Sequence, residues 1–218
     1  METWGGAASR GKDMVLTYFG KRRGGGAQPA FPAIQEVRAY WEALREGRTL
    51  PRRDQIDPRG IAEALEQVFL VERIAPGHAR FRLAGMHLHD LLGMEARGMP
   101  MTALFEPAAR ARFSEALDAV FTTPAVLDVW LEAERGIGRG VLSGRLMLLP
   151  VTGSKGEPDL ALGCLASEGV IGRVPRRFAI SGLVREPLQV VPSDVQAELA
   201  PRPPRGVPHL RLVSSREG

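Results

Sequence analysis

Four short stretches of this chain hold residue types that can do chemistry. His87, His89 and Asp90, in MHLHDLLG, are its clustered metal-type ligands. Residues two apart on a helix point about 200° from each other, so a regular helix cannot turn both histidines toward one ion. A single neutral imidazole can ligate a haem iron; the competing reading is a structural or solvent-facing pair. Asp54 and Asp57, in DQIDP, are close enough for paired-carboxylate acid–base work if their surroundings split their pKa values. The favoured reading is that they cap a helix and pair with Arg52, Arg53 or Arg59. Cys164 sits in a strand-like run between Gly163 and Leu165, with no polar flavin-binding set around it, and reads as a buried inert thiol. GIGRG at 136–140 has the glycines of a phosphate loop but neither the following helix nor the Lys-Ser/Thr pair, so it reads as a hairpin turn. No Ser/His/Asp or Cys/His arrangement follows from spacing. No catalytic residue and no metal ligand is assigned, and an enzyme is not expected.

The elements that must position these residues follow from periodicity. In AIQEVRAYWEALRE, Ile34, Val37, Trp41 and Leu44 recur at spacings of three and four, one face of a helix over 33–46, with Gly47 placed to end it. Asp57 before Pro58 is a cap followed by proline at the first helical position. It opens a second helix whose buried side is Ile61, Leu65, Val68 and Phe69. Strands are expected near 69–74 and 79–84 around a Pro76-Gly77 turn. Gly85 and Gly93 bracket a short helix with Leu88, Leu91 and Leu92 inward. A longer helix begins at Pro107, carries Phe113, Leu117, Val120 and Phe121, and stops before Pro124. The period then changes to two: Leu127, Val129 and Leu131 alternate with Asp128, Trp130 and Glu132. GVLSGRLMLLPV and LALGCLASEG supply two more strands. The fold class is α+β: a five-stranded antiparallel sheet, helices between its second and third strands packed on one face, and N-terminal helices besides.

The charge is divided. Residues 1–30 carry five basic and two acidic groups, 31–172 carry 16 and 19, and 173–218 carry eight and four. This predicts a basic Gly-rich arm and linker at 1–30, a domain at 31–172, and a Pro/Arg-rich tail at 173–218, largely disordered, whose first part can add an edge segment. Met14, Val15, Leu16, Tyr18 and Phe19 form a small apolar cluster in the arm. A basic structured face of the kind that binds nucleic acid is not expected. One cysteine excludes an internal disulfide and fits a reducing compartment. No run approaches the roughly 20 apolar residues of a membrane span, and no secretion signal is apparent at the N-terminus, so the expected address is the cytoplasm.

YWEALREGRTLPRRDQIDPRGIAEALEQVFLVER, with RFRLAG and DLLGMEARG after it, resembles the stand-alone bacterial PAS-domain proteins over roughly residues 35–170. The resemblance implies an antiparallel sheet of order 2-1-5-4-3 whose short helices wall a ligand-sized cup. It implies a sensory signalling module that binds a small ligand or a partner protein. The expected cup lining is Phe81, Leu83, Met86, Leu88, Leu91, Leu92, Met101, Leu104, Phe105 and Phe113, with Met94 and Met99 adding to an adaptable wall; the same residues can also close as a packed core. The cofactor is left unknown. A protein partner and self-association, through the N-terminal helix or the outer sheet face around Trp130, are expected, and a small apolar ligand is open. The alternative is a non-liganded adaptor acting through its basic tails and sheet surface.

Overall fold

A computed structural model describes residues 31–188. The expected apolar cluster at 14–19 and most of the expected tail lie outside them. Helix α1 (Pro32–Arg45) leads, through a connection that holds a 3-10 turn at Arg53–Gln55, to a 3-10 helical segment (Pro58–Gln67) and then to strands β1 (Val68–Ala75) and β2 (His78–Ala84). Helix α2 (Met86–Leu92), a 3-10 turn (Met101–Leu104) and helix α3 (Pro107–Thr122) follow. Strands β3 (Ala125–Ala133), β4 (Leu142–Val151), β5 (Leu160–Gly169) and β6 (Phe178–Pro187) complete one antiparallel sheet of order β2-β1-β5-β4-β3-β6.

The first five strands keep the expected order, and a sixth is added. β6 pairs along the whole of β3, from Ala125↔Pro187 to Ala133↔Phe178, and lies beyond the boundary expected at 172. Its sequence signal is weak because Ser181, an extra residue opposite the Trp130–Leu131 step of β3, breaks the alternation. Phe178, fully buried, is the residue that ties it down. Its carbonyl accepts the N–H of Glu106 at 3.0 Å, which joins β6 to the start of α3.

Helices cover both faces of the sheet. On the inner face, α2, α3 and the 101–104 turn pack on Phe69, Val71, Leu127, Val129, Leu146, Leu148 and Leu165. On the outer face, Ile34, Val37 and Trp41 of α1 lie against Met147, Leu149, Leu162 and Cys164. This is why β4 and β5 read as nearly continuous apolar runs: their middles are covered on both sides. The apolar stripe of α1, expected to be available for self-association, is turned onto its own sheet.

The second helix is a 3-10 segment, interrupted at Ile61 (φ −136°, ψ 34°). Two contacts hold that geometry. The Tyr40 hydroxyl accepts the Asp57 N–H at 2.7 Å and donates to the Asp57 carbonyl at 3.0 Å. Gly60 lies flat on the Tyr40 ring, where a Cβ would fall 2.3 Å from a ring carbon. Asp57 caps as expected, accepting the Arg59 N–H at 3.0 Å.

Candidate functional site

The residues singled out for chemistry are dispersed. Asp54 accepts two hydrogen bonds from Arg52 (2.7 and 3.1 Å), while Asp57 holds the start of the 3-10 segment. GIGRG forms a tight turn in which Gly136 and Arg139 exchange backbone hydrogen bonds of 2.9 and 3.1 Å. Cys164 is fully buried under α1, and burial pushes its thiol up to about 12, so it is no nucleophile at neutral pH.

The two histidines part company. His89 is exposed. His87, half-buried, turns its Nε2 to within 3.0 Å of the Ser167 hydroxyl on β5. Spacing gave no hint of that pair, because 80 residues separate the partners. Among the described hydrogen bonds no carboxylate holds the other ring nitrogen, so the pair ties α2 to β5 and lacks the third group of a catalytic triad.

Burial lowers the His87 pKa from its ordinary 6.5, against the pull of Asp90 and Glu66. The sign of the consequence follows. Below pH 6.5 the unfolded chain takes up a proton that the folded chain refuses, so stability falls as pH drops and levels off below the folded value. Urea midpoints measured between neutral and mildly acidic pH are expected to fall for the native chain and to fall less for His87→Gln. The same pH slope in both would contradict this reading.

Eight of the ten expected cup residues come together: Phe81, Leu88, Leu91, Leu92, Met101, Leu104, Phe105 and Phe113 are all buried in the inner core. They fill the cup. Phe69 meets Phe81 edge to face at 5.3 Å, and Phe105 stacks on Phe113 at 4.1 Å. The Phe69 ring lies directly on Gly163 of β5, where a Cβ would fall 2.1 Å from it, so even the floor is occupied by aromatic carbon.

Leu83 and Met86 do not belong to this set; they are 52% and 60% exposed. Strict alternation would place Leu83 on the same face as Phe81. Instead Val71 pairs with Phe81 and Leu70 with Leu83, leaving Arg82 as an extra residue. That β-bulge sends Leu83 to the outer face. Met86 starts α2 on the side opposite Leu88. Met94 is also exposed and Met99 only partly buried, so of the expected methionine wall only Met101 is fully inside.

Two recesses on the surface of the described residues stand out, and neither is lined by the eight buried cup residues. One, of about 440 Å³, lies at the start of α1 and is lined by Phe31, Glu36, Glu63, Gln67, Ser167 and Glu168 among others. The other, of about 240 Å³, is a mainly apolar groove between the 3-10 segment and strands β1, β2 and β5. Ile61, Leu70 and Leu162 form its buried floor, Leu65 and Leu83 its half-exposed rim, and Arg53 stands at its edge. Gly85 makes the groove possible. A Cβ there would meet the Glu66 carbonyl oxygen at 2.2 Å, so only glycine lets the chain pass between β2 and α2 this close to the 3-10 segment.

A sheet of order β2-β1-β5-β4-β3 with its helices inserted between β2 and β3 is the architecture the sequence resemblance implies. A family model described as PAS domain matches residues 30–166. The chain belongs to the PAS domain family. As a PAS domain it is a sensory module in the general sense of that family, and its sixth strand lies outside the matched range. No curated protein matches the chain. A solved structure of an RsLOV variant is similar at 20% identity, covering 64% of this chain and 69% of that one, with a TM-score of 0.37. A likeness of that size carries nothing about ligand or mechanism. Among the described residues of this PAS domain no helix is long and apolar enough to cross a membrane.

Proposed function

We propose that this PAS domain signals by binding a protein partner in the groove between the 3-10 segment and β1/β2, with the cup serving as packed core. The observation that supports this most is the division of apolar surface. The aromatic cup residues are buried together in the inner core, whereas Leu65 and Leu83 are left half-exposed around an apolar groove. At about 240 Å³ the groove is smaller than the roughly 300–1,000 Å³ of small-molecule sites. It is the size of a few side chains, which suits the apolar anchors of a partner segment. Arg53 at the rim favours a partner with a carboxylate beside its anchor.

Signalling then needs no resident cofactor. Occupation of the groove presses on the 3-10 segment, whose kink at Ile61 and clamp to Tyr40 link it to α1. The response is a population shift, limited by the partner's differential affinity for the two arrangements. Self-association uses the part of the outer sheet that α1 leaves free, where Arg145 stacks on Trp130 at 5.1 Å and Val184 is exposed.

Native mass spectrometry with an absorption spectrum on freshly purified full chain tests the choice between partner and ligand. The expected result is the bare-chain mass with no visible band. A retained small molecule would move the site into the cup and overturn the partner reading.

A further inference from the structure

Ten large hydrophobic residues are exposed among the described residues, and four of them fall in two adjoining loops: Ile137, Val141, Val170 and Val174. The β3–β4 hairpin and the β5–β6 connection are stitched into one tip. Arg173 N–H donates to the Gly138 carbonyl at 2.8 Å, and Arg139 Nε to the Arg173 carbonyl at 3.3 Å. Beneath them the fully buried Arg176 donates to carbonyls of both loops: Val170 and Ile171 on one side, Glu134 and Gly140 on the other.

The tip is therefore a built object with an unusual outer face. Ile137, at a glycine-flanked turn, is 95% exposed, and Val170, in the adjoining loop, is 73% exposed. Around them, Arg135, Arg173 and Arg177 are exposed and have no acidic partner among the described residues. The one acidic residue within the two loops, Glu134, is already paired with Arg139.

We infer that this tip docks on an anionic lipid surface, with Ile137 and Val170 entering the interfacial layer and the arginines binding lipid phosphates. Three features favour lipid over an acidic protein. Neither recess described above is lined by residues of these two loops, whereas a specific protein interface needs about 800 Å² of matched surface on each side. Exposed aliphatic side chains beside exposed arginines suit the boundary between acyl chains and headgroups, with exposed Glu132 and Glu168 on the adjoining strand ends as the opposing charges. The carbonyls that Arg176 holds are already satisfied from within, so burying the tip adds little backbone desolvation. The tip also lies at the far end of β5 from the apolar groove, which uses Leu162, so both surfaces can be occupied together.

Co-sedimentation of the full chain with vesicles of phosphatidylcholine mixed with phosphatidylglycerol tests this, with pure phosphatidylcholine as the comparison. Binding is expected only to the anionic vesicles. It should fall at least about tenfold in Ile137→Ser/Val170→Ser and, separately, in Arg135→Gln/Arg173→Gln. All four residues are exposed and leave the core intact. An environment-sensitive dye on Ile137→Cys should brighten on those vesicles, while the same dye on Ile74→Cys, exposed on the β1–β2 hairpin, should not; the single native thiol, Cys164, is buried. No binding to either vesicle, or anionic binding that both double variants retain because the basic chain ends carry it, would overturn the proposal.

Discussion

Arg176→Met is expected to destabilise the domain by about 3–5 kcal/mol, a third or more of a typical domain's stability. The side chain is fully buried and its two terminal nitrogens reach four backbone carbonyls, with Nη2 3.0 Å from both the Glu134 and Gly140 oxygens. Its own N–H donates to the Leu91 carbonyl at 2.7 Å, so the same residue also fastens the end of α2. Methionine keeps the apolar stem and removes every side-chain donor, leaving four part-buried carbonyls without these partners. Lysine is expected to recover only part of the loss, because one ammonium cannot span both loops as a planar guanidinium does. Urea denaturation followed by circular dichroism measures the change. A loss under about 1 kcal/mol in the methionine variant would show that water or a backbone shift satisfies the carbonyls.

Trp41→Ala is expected to cost a similar amount, about 3–5 kcal/mol, for a different reason. Trp41 is fully buried between α1 and the outer sheet, its indole N–H donates to the Pro150 carbonyl at 3.0 Å, and the Arg45 guanidinium covers its ring at 5.1 Å. Truncation empties the centre of the outer core and frees α1 from β4. Trp41→Phe keeps most of the packing and loses the hydrogen bond, so it should cost only about 1–2 kcal/mol. Equal losses in the two variants would mean that the hydrogen bond, and not the packing, holds α1 in place. The outcome bears on signalling, since α1 carries the Tyr40 that fixes the segment walling the groove.

Much of this architecture is written in local pattern. The strong 3.6-residue stripe of α1, the glycines that bracket α2, and the change to alternation at Leu127 all place elements within a residue or two of where they stand. What escaped depends on contacts between distant segments. β6, legible only as an edge segment, carries a glycine, a register shift and a polar outer half, so its full pairing with β3 and the burial of Phe178 emerge only in the fold. Leu83 lies on the outer face, against the period-two expectation, because a bulge at Arg82 leaves no trace in local alternation. Leu65, read as buried, is 46% exposed because the 3-10 segment turns differently from an α-helix after Ile61. Arg176 looked like one more charge in a basic tail, since nothing local says that four carbonyls converge on it. The groove is assembled from these same departures.

The most direct test of a partner site in that groove is photo-crosslinking from position 83 in the full chain, inside cells that naturally make it. Position 74 is the control, being a comparably exposed apolar residue on the hairpin away from the groove. The account predicts one discrete polypeptide adduct from position 83, none from position 74, and loss of the adduct when Leu65→Glu places a charge on the rim. No adduct from position 83, or the same adducts from both positions, would contradict it.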